Sequence, residues 1–426
     1  MDIIDAFKDK AHSDWARKVV KFPLSYRLAS WILRKNNRMT LDSGGEVQAF
    51  AMDQTARAYA RKRPVCWTTA FFPSEILYAL DLVPFAPEVG AGVAAAMNLA
   101  PGFLQRAEEK EIDNESCSFH RCAAGGIYED YFPQPDLFVA SSHLCDGAPH
   151  LFRFLARERK VPFFILDVPD NLGSQAEDYL ASQLENIVLK LEETTGIKVT
   201  AERWEEIFDA ANKTREAMLR FSNFRKNDPT PIKGEEGLSL VYLQFLGYGH
   251  PRMAQISNSL AREIEEKQKK LQHQKAPRDN FRLIWLHLRP YYQTELFNLL
   301  EEEKKARVVF EEMNQIYWPP LDPSQPYRSL ARKILHHPGV GPVDRRVKGI
   351  IKMVEEYNAD AVVHFSHWGC RQSVGAVPYI KNKLRQKGIP FLALDGDCVD
   401  DGSFPKGQIR TRLESFLEIL QEQKTG

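Results

Sequence analysis

Six cysteines carry most of the reactive chemistry of this 426-residue chain: Cys66, Cys117, Cys122, Cys145, Cys370 and Cys398, with none between 146 and 369. Thiolates are soft metal ligands and nucleophiles. Two of them close the same phrase: "FVASSHLCD" sets Ser142 and His143 before Cys145, and "VVHFSHWGCR" sets Ser366 and His367 before Cys370. A single buried cysteine is ordinarily a small hydrophobe, but six confined to a few phrases read as a ligand set. Zinc favours local C-x2-C knuckles, and none occurs. Thiolates gathered from distant parts of a chain suit an iron–sulfur cluster better. His143 and His367, repeated beside cysteines, are candidates to donate protons or hydrogen bonds there. In "ESCSFHRC", helical geometry would turn Cys122 about 140° away from Cys117, so the pair would reach two cubanes more easily than one.

Elements must bring these residues together. Cys145, Cys370 and Cys398 each follow an apolar strand candidate, in "DLFVASS", "AVVHFSHW" and "IPFLALDG", while Cys66 lies inside another, "VCWTTAFF". Strands that are apolar on both faces and alternate with helical patterns indicate parallel sheets, and such sheets bind ligands at their carboxyl ends. "PDLFVASSHLC…VPFFILDVPD" matches "ADAVVHFSHWGC…IPFLALDGD", so the expected class is α/β, with two similar doubly wound, Rossmann- or flavodoxin-like domains enclosing a cleft. The expected division is an N-terminal helical segment over 1–60, a first α/β domain over 61–173, a helical layer over 174–278 and a second α/β domain over 279–426. Glu75, in "PSEILYALDL", reads as a first-turn carboxylate complementing a helix dipole. "GAGVAA" imitates a dinucleotide fingerprint without the acidic residue that should follow. "HHPGVGPVDRR" reads as a connecting loop rather than a substrate lid.

Lys plus Arg and Asp plus Glu both number 57, so no bulk field attracts nucleic acid or an anionic membrane. No apolar run approaches the roughly 20 residues that span a bilayer, and the opening "MDIIDAFKDKAHSDWARKVV" lacks the features of a signal peptide. The expectation is a cytoplasmic protein with free or metal-bound thiols rather than disulfides.

"FFPSEILYALDLVPFAPE", "SCSFHR", "SSHLCD", "HWGCRQS" and "GIPFLALDGDCVDDGSFPKGQIRTRLESFLEIL" together resemble the 2-hydroxyacyl-CoA dehydratase and benzoyl-CoA reductase superfamily, D-component type, over roughly 60–420. The resemblance implies an anaerobic enzyme whose [4Fe-4S] cluster is held, by motif, through Cys117, Cys145 and Cys370. It also implies low-potential electrons from an ATP-hydrolysing iron–sulfur activator, which must be a partner because the chain has no G-x4-G-K-[ST] string. Glu75 gains a possible cleft-facing acid–base role from it. Three further cysteines inside family motifs, Cys66, Cys122 and Cys398, match the number that the double-cubane branch needs for a second cubane of an [8Fe-9S] cofactor. The leading expectation is therefore an ATP-driven, homodimeric reductase component with a double cubane, acting on small molecules. The alternative is a single-cubane subunit of a 2-hydroxyacyl-CoA dehydratase or aryl-CoA reductase, and a third reading is a non-catalytic electron-storage or metal-binding protein.

Overall fold

The computed structural model describes residues 19, 21–35 and 39–425; residues 1–18 of the expected N-terminal segment lie outside them. Two four-stranded parallel sheets form the frame. The first contains β1 (Val65–Thr68), β2 (Val83–Phe85), β3 (Leu137–Ser141) and β4 (Phe163–Leu166) in the order β2-β1-β3-β4. The second contains β5 (Phe281–Leu286), β6 (Ala306–Glu311), β7 (Ala361–His367) and β8 (Phe391–Gly396) in the order β6-β5-β7-β8. Each half thus repeats one topology. Its central strands are buried along their whole length, as their unbroken apolar runs require of a sheet covered on both faces.

Strand alternation sorts the side chains into layers. Trp67, Phe138 and Ala140 face one way and join Trp285, Val363 and Phe365 of the second sheet in one core that spans both α/β domains. Cys66, Leu137 and Val139 face the other way, against the helices Ser174–Thr195, Ala201–Phe224 and Pro251–His273. Ile284, Val309 and Val362 on the outer face of the second sheet pack under Val343–Glu356 and Val377–Gln386.

The helical stretch in the middle of the chain is therefore the cover of the first sheet. One of its helices also reaches the second sheet: Arg225, just after Ala201–Phe224, grips Glu311 of β6 at 2.5 and 2.6 Å, with both side chains fully buried. At the amino end, Pro23–Lys35 and Asp42–Ala60 form a hairpin whose Glu46 and Asp53 are shared by Arg34 and by Arg252 of the middle segment. "GAGVAA" is interior to the helix Pro87–Ala96 and is not a phosphate loop. Among the described residues no helix is long and apolar enough to cross a membrane.

Candidate metal centre

Loops leaving the carboxyl ends of both sheets enclose a cavity of about 550 Å³ whose wall includes Cys117, Cys145 and Cys370. Each thiol stands just before a helix, respectively Ser118–Tyr128, Gly147–Arg159 and Arg371–Gly375. First-turn N–H groups face the sulfurs, including that of Ala148, which donates to Cys145 Sγ at 3.4 Å. Such donors favour a thiolate. Burial opposes them and leaves all three thiols raised: Cys117 by burial and then by its neighbours Cys145 and Cys370, Cys145 to about 12, and Cys370 in the same direction. Free, they are protonated at neutral pH, and a bound metal would displace the protons.

The loops are built to meet. Gly369 has φ +79°, and a Cβ there would lie 2.8 Å from Cys117 Cα and 3.0 Å from its nitrogen, so only glycine lets the Cys370 turn approach Cys117. Ser118 Oγ donates to Asp397 Oδ1 across the domains at 2.6 Å, and Arg371 pairs with Asp146. Leu144 and His287 hold left-handed backbone conformations beside the cavity, a strain typical of functional loops. Among the described residues no three His, Cys, Asp or Glu side chains crowd closely enough to ligate one ion. Thiolates drawn from distant segments onto one cavity wall are of the type that could hold an iron–sulfur cluster.

Every cavity thiol has a histidine. His367 Nε2 lies 3.3 Å from Cys117 Sγ, His120 Nε2 3.6 Å from Cys145 Sγ, and His287 Nε2 3.6 Å from Cys370 Sγ. Burial pushes His120 down to about 4 and His287 and His367 to about 3, so all three rings are neutral. Glu88, in the first turn of Pro87–Ala96, also meets the cavity. Burial lifts its carboxyl to about 7 against the opposing N–H groups of Glu88 and Ala70, and its Oε2 has no hydrogen-bond partner among the described residues. A carboxyl poised near neutrality on a reactive wall is a proton donor and acceptor. Much of the remaining wall is apolar, including Ile32, Val47, Met52, Val93 and Phe245.

Other residues singled out in the sequence lie elsewhere. Cys66 is fully buried in the layer under the middle helices, whereas Cys122 and Cys398 are fully buried in the core that spans the domains. None of the three lines the cavity. Cys66 and Cys122 therefore sit on opposite faces of the first sheet. Cys398 alone of them is within electrostatic reach of Cys117 and Cys370. The turn between Cys117 and Cys122 does separate the sulfurs, one to the cavity and one to the core.

Glu75 is fully buried behind the wall, where Lys333 Nζ donates to its Oε1 at 2.6 Å. His143 lines a smaller chamber of about 60 Å³ with Gln244, Lys333 and His337, and neither of its ring nitrogens has a partner among the described residues. Of the 336–346 stretch, His337, Pro338 and Gly339 in the loop and Arg346 in the first turn of the helix Val343–Glu356 line the main cavity. Sequence reasoning passed over Glu88, His120 and His287. The one available signal was an acid three residues after the short strand β2, at the end of a sheet where ligands gather.

Residues 69–420 match the family model described as 2-hydroxyglutaryl-CoA dehydratase, D-component. The chain is 24% identical to the (R)-phenyllactyl-CoA dehydratase alpha subunit of Clostridium sporogenes, covering 86% of this chain and 92% of that one. It is 23% identical to the lactoyl-CoA dehydratase alpha subunit of Anaerotignum propionicum, over 87% and 94% of the two chains. With one of the subunits of benzoyl-CoA reductase from Thauera aromatica it shares 22% identity over 83% and 88%.

Proposed function

The chain belongs to the 2-hydroxyglutaryl-CoA dehydratase D-component family, and on that premise we propose that it is the cluster-bearing subunit of an acyl-CoA dehydratase or reductase, with one [4Fe-4S] cluster held by Cys117, Cys145 and Cys370. The observation that carries this reading is the convergence of those three thiols, from both α/β domains, on one cavity wall. The enclosure of Cys66 and Cys122 in separate cores favours a single cluster over a double cubane. When bound, the cluster supplies one-electron chemistry at a potential set by burial and by hydrogen bonds to its sulfurs.

The chain's own residues provide the rest. Apolar side chains from the N-terminal hairpin and Pro87–Ala96 would hold the acyl part of a thioester and exclude water. Glu88 Oε2 would take and return a proton there, because a group near pH 7 does both. Arg346 is held by Glu312 through its Nε at 2.6 Å and its Nη2 at 2.8 Å, which keeps a fixed positive charge at the wall.

Electrons would come from an ATP-hydrolysing iron–sulfur activator. The relatives are named as single subunits, which supports a further subunit, either a copy of this chain or a companion. The test is iron and acid-labile sulfide on anaerobically purified protein. About four of each per chain is expected for a [4Fe-4S] centre; about eight irons and nine sulfides would restore the double cubane; and no iron would remove the cluster reading.

A further inference from the structure

Backbone contacts fix the tautomers of two of the three histidines beside the thiols, and they fix them in opposite senses. The N–H of Cys398 donates to His367 Nδ1 at 3.1 Å. A ring nitrogen that accepts a hydrogen bond carries a lone pair, so the single proton of neutral His367 resides on Nε2, the atom 3.3 Å from Cys117 Sγ. Asp397 does not reverse this. Its Oδ2 is 3.8 Å from Nδ1, beyond hydrogen-bond range, while its Oδ1 is engaged by Ser118 Oγ and the N–H groups of Val399 and Asp400. The ring of Phe119 packs edge-on to the imidazole at 5.1 Å, and His367 is only 1% exposed.

At His287 the polarity is reversed. Its Nδ1 faces the carbonyl oxygen of Phe365 at 3.2 Å. A carbonyl only accepts, so the proton stays on Nδ1, and Nε2 turns a lone pair toward Cys370 Sγ.

We propose that His367 is a positioning residue that donates its Nε2–H to the sulfur of Cys117, whereas His287 makes no such donation to Cys370. The inference rests on the single-cluster reading and adds to it that the three sulfurs are electronically unequal. A donor hydrogen bond withdraws charge from a ligand sulfur and raises the cluster's potential, so the wild-type potential contains a contribution traceable to one imidazole.

The test is a potentiometric titration of the cluster-loaded, full-length protein, followed by electron paramagnetic resonance. His367→Phe should bind the same iron and show a lower midpoint potential. His367→Gln, whose amide keeps an N–H near the Nε2 position, should recover most of the shift, and His287→Phe should cause no comparable fall. An unchanged potential in His367→Phe, or an equal fall in His287→Phe, overturns the proposal. Nitrogen-15 chemical shifts of the metal-free protein provide a check independent of the cluster: His367 should be protonated on Nε2 and His287 on Nδ1. The opposite assignment at His367 overturns the proposal even if the cluster reading stands, whereas absence of iron with the expected tautomers counts against the cluster alone.

Discussion

Asp146 and Arg371, the residues directly after Cys145 and Cys370, form an ion pair across the two α/β domains. Their side chains are 62% and 78% exposed. Water and salt screen such a pair, so its contribution is under about 1 kcal/mol. Arg371→Ala should therefore leave the urea midpoint nearly unchanged, and what small effect there is should disappear in high salt.

Gly369 is a sharper constraint. Its left-handed backbone and its contact with Cys117 both exclude a Cβ. Gly369→Ala should cost at least about 1–2 kcal/mol from backbone strain alone. Because the loops must also move apart, iron bound per chain should fall with it. A variant with full stability and full iron would show that the loops tolerate separation.

The cysteines should divide by location. Replacing Cys117, Cys145 or Cys370 with Ser should strip iron from a folded chain. Cys66→Ser and Cys122→Ser place a hydroxyl in an apolar core and should lower stability by about 1–3 kcal/mol with iron unchanged. Iron loss from a folded Cys66 or Cys122 variant would return those thiols to the ligand set.

Glu88 gives stability a pH dependence of calculable sign. Its carboxyl is raised from the ordinary value to about 7 by burial, so between those values the folded chain holds a proton that the unfolded chain has lost. Its contribution is fully present below the unfolded carboxyl pKa and is lost as pH rises through about 7. Glu88→Gln should therefore be the more stable protein at pH 8, by an amount on the order of 1–3 kcal/mol, and should show little difference at pH 4. Urea melts of both proteins at the two pH values measure this, and a Gln variant that is less stable at pH 8 would contradict it.

Arg225 and Glu311 form the opposite kind of ion pair from Asp146 and Arg371. Both are fully enclosed, so Arg225→Met strands a charge and should cost about 3–5 kcal/mol. Replacing both partners with apolar residues of similar volume should be close to neutral, which a double-mutant cycle in urea would read.

The sheets were legible because unbroken apolar runs such as "AVVHFSH" have one stable use, a strand covered on both faces. That Cys117 and Cys122 meet different surroundings was legible for another reason, since residues five apart along a helical stretch point in different directions. The layer into which Cys66 points was not, because alternation within β1 says that Cys66 and Trp67 face apart but not which helices cover each side. Similarly, His287 looks like an ordinary residue at the end of "FRLIWLHL", and only the pairing of β5 with β7 brings it to Cys370. Glu88 shares its stretch with Glu75, and spacing alone cannot tell the carboxyl that meets the cavity from the one that Lys333 retains.

The triad takes Cys117 and Cys145 from one domain and Cys370 from the other. Anything that binds all three at once is a staple, closing a loop of more than two hundred residues of chain. Its removal would act locally, on the loops that the Ser118–Asp397 hydrogen bond and the exposed Asp146–Arg371 pair still join, while the core that spans both domains keeps the halves together.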